Sequence, residues 1–440
     1  MTDGFDSPHI TTIEALEPTA AQTAARLLGV VLLKLTKTGS ITIADGTSTF
    51  RFGSGHPQAR ITVRSPQFWP ALLRGSVGLA DAYAAGWFES ESLVDVIRVG
   101  ALNAGRLDGP RRAFAPLRIP FQQLREYSKP LTRERSRREI SAHYDIGNDL
   151  FERMLDPTMM YSCALFARPG LSLEEAQIAK LDLICDRLEL SSADHLLEIG
   201  TGWGGLAIHA ARTRGCRVTT ATISVEQHRY AREQVARHGL DELVDVVFRD
   251  YRDLRGQFDK LVSVEMIEAV GWRNFSRYLA QCSRLLKPDG LMLLQAITID
   301  DRGYEVEKAS KSFIKSYIFP GGCLPSLSVL TSRLARHTDM QVANLDDITI
   351  HYVETLRRWR ENFTAASAEL GERGYDERFQ RIWQLYLAYC EAGFAERRIL
   401  DLQLLLAKPA YRGSATVTFA PADSHSDWDD LPDVTVGAES

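Results

Sequence analysis

The chain has 440 residues, of which 45% are hydrophobic, 9% aromatic and 25% charged, with a formal net charge of −5. At about 100–200 residues per domain, this length predicts two to four domains with ample material for a core. It excludes a collagen-like, disulfide-scaffold or mainly disordered chain, and the slight acidic balance gives no reason to expect a nucleic-acid partner.

Residues 1–18 read as a frayed leader. Residues 20–36 carry small and apolar side chains at helical spacing, and 40–51 alternates as a strand, with Asp45-Gly46 as a hairpin turn. A short strand over 59–64 and a helical stretch to about 104 complete a small α+β domain, 1–105. The segment 106–136 is predicted as a basic linker. Across 105–140 ten Arg or Lys face four acids, giving a net +6, with four prolines interspersed. Its plain reading is a solvated tether; its sharper reading is a patch for an anionic membrane surface. From 173 onward helices alternate with short apolar strands: helix 173–188, strand 194–199, helix 204–214, strand 216–222, helix 225–239, strands 244–248 and 259–264, helix 273–286 and strand 290–297. That alternation predicts an α/β fold with a parallel, doubly wound sheet. The stretch 353–408 reads as helical. Residues 413–440 hold six acids and no Lys or Arg, the composition of a disordered tail.

The six cysteines, at 163, 185, 216, 282, 323 and 390, form no CxxC pair. A zinc ribbon or thioredoxin-like centre is therefore not expected, no metal site is predicted, and scattered thiols fit a reducing cytoplasm. The apolar run 27–33 is too short to span a bilayer. The acids before it, Asp3, Asp6, Glu14 and Glu17, do not suit a secretory signal.

The most informative stretch is Leu196-Leu197-Glu198-Ile199-Gly200-Thr201-Gly202-Trp203-Gly204-Gly205. An apolar strand ends in a glycine-rich turn that opens into a helix, so backbone can approach a ligand closely. The spacing of Gly200, Gly202 and Gly205 also satisfies the dinucleotide fingerprint. Two features weigh against a nicotinamide. Glu198 places a carboxylate where a pyrophosphate would be repelled and a sulfonium cation would be attracted. The next strand ends in Thr222, Ile223 and Ser224 rather than in an acid for the ribose, which leaves that task to the hydroxyls and Gln227. Glu198, Gly200, Thr201, Gly202, Gly204, Thr222, Ser224 and Gln227 are the candidate cofactor-binding residues. The turn resembles that of the S-adenosylmethionine-dependent methyltransferases of the Rossmann-like class, in which Asp250 and Tyr251, after the third strand, would lie near the adenine.

Four further motifs narrow the class. They are His143-Tyr144-Asp145-Ile146-Gly147-Asn148-Asp149; Tyr161-Ser162-Cys163-Ala164; Ser263-Val264-Glu265-Met266-Ile267-Glu268-Ala269-Val270-Gly271; and the run from Phe313 to Ser326 through Tyr317, Phe319, Pro320 and Gly321. In this order they resemble the cyclopropane-fatty-acyl-phospholipid synthase family, densely over about 137–405. The resemblance implies a Rossmann-like methyltransferase domain with acyl-binding helical elements over 137–412. It also implies methyl transfer from S-adenosylmethionine to a cis double bond of an unsaturated phospholipid, and a peripheral position on the inner face of the membrane. A homodimer is within its range. The resemblance assigns Tyr161 and Ser162 to the cofactor side. It assigns Cys163, Glu268 and Tyr352 to the holding of a bound bicarbonate that removes the proton, with Ile297 contributing backbone. Where the best-known members carry a His, this chain has Gln295, which bonds but does not titrate near neutral pH. Glu265 would lie one turn from Glu268 if the stretch is helical, and a carboxylate there would replace part of the anion's function. Phe313, Tyr317, Phe319, Tyr386 and Tyr389 either line an acyl tunnel or pack a helical cap. Three alternatives stay open: a methylene-branched product from the same methyl transfer, a nicotinamide-dependent oxidoreductase, and a non-catalytic lipid-binding protein.

Overall fold

The computed structural model describes residues 18–107 and 147–413. The basic linker, His143 and the acidic tail lie outside the described residues.

The first segment begins with α1 (Ala20–Leu33), opened by a capping box in which Thr19 and Gln22 satisfy each other's backbone N–H groups. Then follow β1 (Thr38–Asp45), β2 (Ser48–Val63), α2 (Phe68–Leu72), α3 (Ser76–Ala84), β3 (Phe88–Ser90) and α4 (Leu93–Leu107). The sequence divides β2 into two strands, and the structure shows why both readings have merit. Residues 48–54 pair on one side of β1 and 58–63 on its other side, so that Ile41 faces both Phe52 and Ala59. Ile43, Ile61, Phe68, Trp69 and Phe88 fill the space between sheet and helices.

The second segment contains α5 (Asn148–Met154), α6 (Leu173–Arg187), β4 (His195–Ile199), α7 (Gly205–Arg214), β5 (Arg217–Thr222), α8 (Val225–Arg237), β6 (Val244–Phe248), β7 (Phe258–Val264), α9 (Phe275–Leu285) and β8 (Leu286–Ile299). Next come α10 (Tyr304–Ala309), α11 (Leu327–His337), β9 (Gln341–Asp347), α12 (Thr349–Ala365), α13 (Ser367–Glu372), α14 (Glu377–Ala395) and β10 (Ile399–Ala407). The sheet order is β6-β5-β4-β7-β8-β10-β9. The five strands from β6 to β8 are parallel, as the alternation predicts. Chain order reverses at β4, which makes the end of that strand the switch point where doubly wound sheets bind ligands.

One expectation is corrected. The stretch 353–408 is not helical throughout: α14 stops at Ala395, and residues 399–407 form β10, antiparallel to both β8 and β9. The run Ile399–Ala407 is nearly all apolar, and such a run has no period that separates buried helix from buried strand. The sheet is accordingly mixed.

The two segments share a core. Arg381 of α14 donates to the Tyr83 carbonyl at 2.6 Å and to Glu89 at 2.9 Å, and its guanidinium lies 4.2 Å from the centre of the Tyr83 ring. Arg98 of α4 donates to Glu396 at 2.6 Å. Trp359 and Trp383 are fully buried, each contributing on the order of 2–3 kcal/mol through removed apolar surface.

Candidate active site

At the switch point the chain leaves β4 through Gly200, Gly202 and Gly204, all at positive φ (106°, 54° and 93°), a region that side-chain-bearing residues rarely enter. Gly205 answers a different demand. A Cβ there would stand 2.4 Å from the Thr158 carbonyl oxygen, so the start of α7 packs directly on backbone. Beneath the turn Glu198 is buried and accepts a 2.6 Å hydrogen bond from the Thr220 hydroxyl, which also lies 2.7 Å from Thr201 Oγ1. Burial pushes the Glu198 carboxyl up to about 8, against the lowering effect of Thr220 and of the Lys180 charge.

Thr222, Ser224 and Gln227 lie at the neighbouring strand end and satisfy one another. The Thr222 hydroxyl donates to Gln227 Oε1 at 2.9 Å, and Ser224 Oγ accepts from the Gln227 N–H at 3.2 Å as the cap of α8. Asp250 sits after β6 and is held by Arg252 at 2.8 and 2.5 Å, with the Tyr251 ring edge-on to Tyr278 at 5.0 Å.

The second cluster forms where β7, β8, β10 and α12 meet, and Glu265 is its centre. Its Oε1 accepts the Cys163 N–H at 2.9 Å and the Gln295 side-chain amide at 2.8 Å; its Oε2 accepts the Tyr352 hydroxyl at 2.6 Å. The expected helical spacing of Glu265 and Glu268 is not what the structure shows. Glu265 has φ +49° where the chain leaves β7, and only 267–270 forms a 3₁₀ turn. Glu268 accepts the Ile297 N–H at 2.5 Å through Oε1, while its buried Oε2 has no partner among the described residues. Of the residues assigned by resemblance, Cys163 therefore acts through its N–H. Its thiol is fully buried and raised well above its usual pKa by that burial, and so stays neutral. Tyr161 shares a 2.6 Å hydroxyl contact with Tyr386, and Ser162 Oγ accepts from Lys180 Nζ at 2.7 Å.

Sequence reasoning did not place Asp401, Gln403 and Lys180 in the site. Asp401 Oδ2 accepts from Gln295 Nε2 at 2.9 Å, and Gln403 Nε2 donates to Gln295 Oε1 at 3.0 Å. The pair fixes which end of the Gln295 amide faces Glu265. The signal available was a polar alternation, Asp401 and Gln403, inside an otherwise apolar run.

Three buried carboxyls, Glu265, Glu268 and Asp401, therefore lie in this cluster, and the buried Lys180 acts on Glu265 and Asp401. Burial raises Glu265, Glu268 and Asp401 alike, Glu268 to about 8. Glu265 alone collects three donors, each favouring its charged form, and it also feels Lys180. Neighbouring carboxylates oppose one another's ionisation, and the three donors favour charge on Glu265 over the other two. Of the groups that the resemblance assigns to bicarbonate, the Cys163 N–H, the Tyr352 hydroxyl and the residue at 295 are thus committed to Glu265 and the Ile297 N–H to Glu268, which leaves Glu268 Oε2 without a partner among the described residues. A second anion beside the Glu265 carboxylate would find one group where the resemblance expects several, so the residues present do not fit bicarbonate.

A glycine turn over a buried acid at the switch point of a doubly wound sheet defines an S-adenosylmethionine-dependent methyltransferase. Among solved structures the chain is similar to the cyclopropane synthase MmaA2 of Mycobacterium tuberculosis (TM-score 0.58, 30% identity, covering 62% of this chain and 98% of that one). It is equally similar to the mycolic acid cyclopropane synthase CmaA1 solved with SAH and CTAB (TM-score 0.58, 29% identity, 62% and 98%). Residues 131–404 match the model of the mycolic acid cyclopropane synthetase family, and the chain belongs to that family. It is 40% identical to the tuberculostearic acid methyltransferase UfaA1 of Mycobacterium tuberculosis over 80% of this chain and 83% of the relative. It is 38% identical to the cyclopropane-fatty-acyl-phospholipid synthase of Escherichia coli K12 over 82% and 91%. The protein transfers methyl groups from S-adenosylmethionine to lipid acyl chains.

Proposed function

We propose that the acceptor is the cis double bond of an unsaturated acyl chain in a membrane phospholipid, and that Glu265 itself takes the proton that completes the reaction. The Gly200–Gly205 turn, Glu198, Thr201, Tyr161, Ser162, Thr222, Ser224, Gln227, Asp250 and Tyr251 form the donor side. The π electrons of the alkene attack the sulfonium methyl carbon, and the C–S pair leaves on sulfur as a neutral thioether. The chain carbon becomes cationic. An ionised carboxylate beside it both stabilises that charge and removes the proton. Glu265 regains its charge when that proton passes to solvent as the product leaves, while Asp401 holds the Gln295 amide that orients it. Cys163, Ile297 and Tyr352 position the two glutamates, and Glu268 stands as the neutral acid facing the reacting carbons.

Loss of a proton from the new methyl with closure of its C–H pair onto the cation gives a cyclopropane. If a hydride first moves from the methylated carbon to the cationic one, the same methyl proton leaves to give a methylene-branched chain. The Glu265–Gln295 pair favours this second product as a parallel reading. A carboxylate tied by three hydrogen bonds is a weaker base than a mobile anion, and slower deprotonation leaves time for the shift to the more substituted cation. The similarity to a tuberculostearic acid methyltransferase points the same way.

The single observation that carries the proposal is the convergence of three donors on Glu265. Incubation with donor and a monounsaturated phospholipid, followed by proton NMR, tests it: upfield ring protons report cyclopropane and vinylidene protons report the branched chain. Glu265→Gln is expected to lower turnover about 10²- to 10⁴-fold, the scale of a lost general base, with donor affinity retained. Unchanged turnover, or wild-type turnover that depends on added bicarbonate, refutes the role of Glu265.

A further inference from the structure

In helix α1 the buried positions are small ones, Ala25 and Gly29, with Val30 and Leu33 half-buried beside them. A Cβ at Gly29 would lie 2.8 Å from the Trp69 ring, so the glycine is what lets the helix lie flat on that indole. The other large side chains point away. Leu27 is 66% exposed, Leu28 51% and Val31 57%, and Leu32 and Leu35 continue the stripe. Leu27, Leu28, Val31 and Leu32 share one face of the helix, and Leu35 follows in the turn after it. A helix of a water-facing surface places such residues inward, and a contiguous outward patch marks a contact.

Charge identifies the contact. From 18 to 44 the chain has no Asp or Glu, and it carries Arg26, Lys34 and Lys37. Arg26 is held by Asp45 at 2.7 Å. Lys34 and Lys37 are exposed at the C-terminal end of the stripe, where their stems can run along lipid while the ammonium groups meet phosphate. The strongly basic 105–140 follows directly on α4 in the chain. A second copy of this face is a poor partner, because residues 18–44 offer the lysines no acid to pair with. We propose that α1 is an interfacial docking helix that sinks Leu27, Leu28, Val31, Leu32 and Leu35 into the headgroup region of an anionic bilayer, with Lys34 and Lys37 at the phosphates. The inference rests on the reading of the substrate as a bilayer lipid, since docking brings the site to the membrane where that lipid resides.

Co-sedimentation of the full chain with phosphatidylglycerol–phosphatidylcholine vesicles tests it. Leu28→Glu with Val31→Glu is expected to lower vesicle partitioning at least about tenfold. Lys34→Gln with Lys37→Gln is expected to lower it by a few-fold at low salt and to flatten its salt dependence. Both variants keep wild-type turnover on detergent-dispersed substrate. Wild-type partitioning by the folded Leu28/Val31 variant overturns the proposal, as does its conversion of a dimer to a monomer with vesicle binding intact. If that variant does not fold, unchanged low-salt binding by the lysine variant overturns it. A wild-type protein that binds vesicles through α1 but methylates no phospholipid refutes the substrate reading and leaves the docking helix standing. Methylation of dispersed phospholipid together with variants that bind as wild type does the reverse.

Discussion

The protons on the buried carboxyls Glu265, Glu268 and Asp401 govern how the site responds to pH. Glu268 sits at about 8 in the folded protein, against 4.5 for an ordinary glutamate. The folded state therefore keeps a proton that the unfolded chain gives up. Stability from this group is complete below about 4.5 and is lost as pH rises through about 8. Glu268→Gln removes the titration, so thermal melts of the variant are expected to fall less than wild-type melts between about pH 5 and 8; parallel slopes would assign the proton elsewhere. Asp401 gives a sharper comparison. Asp401→Asn copies a neutral carboxylic acid and is expected to keep turnover within about tenfold of wild type. Asp401→Leu frees the Gln295 amide and is expected to lower kcat by about 10² or more with donor affinity unchanged. Equal loss in both variants would show that Asp401 works as an anion.

At the scale of elements, the turn after β4 was legible in the sequence because its chemistry is local. Glu198 and the glycines are fixed by spacing along ten residues, and the structure places them at the switch point. Gly205 shows how little room there is. Gly205→Ala would drive a methyl into the Thr158 carbonyl and is expected to cost about 1–3 kcal/mol, lowering both melting temperature and donor affinity; a variant as stable as wild type would mean that residues 158–160 yield easily. The second cluster was legible only in part. Cys163, Glu268, Gln295, Ile297 and Tyr352 were named and do converge. Glu265 was named as a carboxylate that would replace part of the anion's function, but its placement was hidden because the E-x-x-E spacing suggests a helical turn, whereas a positive φ at Glu265 swings its carboxylate toward Cys163 and Tyr352. Asp401 and Gln403 were hidden because β10 is set in place by strands more than 50 residues away in sequence, β8 and β9. No local pattern records such a pairing.

Across the whole molecule, α14 joins the two segments. One of its faces supplies Trp383 and Tyr386 to the core around Tyr161, and Arg381 on the other side satisfies backbone carbonyls of Tyr83 and Phe88. Arg381→Ala removes the side-chain donor that ties those carbonyls and the Glu89 carboxylate to α14, for an expected cost of about 1–3 kcal/mol. Residues 18–107 are then expected to melt or to be cleaved by protease before the rest, where the wild type unfolds in one step. Coincident loss of both segments in the variant would show that the shared apolar core alone couples them. Among the described residues no helix is long and apolar enough to cross a membrane.

The position of β10 between β8 and β9 also bears on how the molecule comes into being. On a ribosome the glycine turn, Glu265 and Gln295 emerge well before residues 399–407, yet the groove for this strand stays open until it arrives. Until then Gln295 lacks both partners from β10 that orient it, so the cluster around Glu265 is completed only when nearly the entire fold has been synthesised.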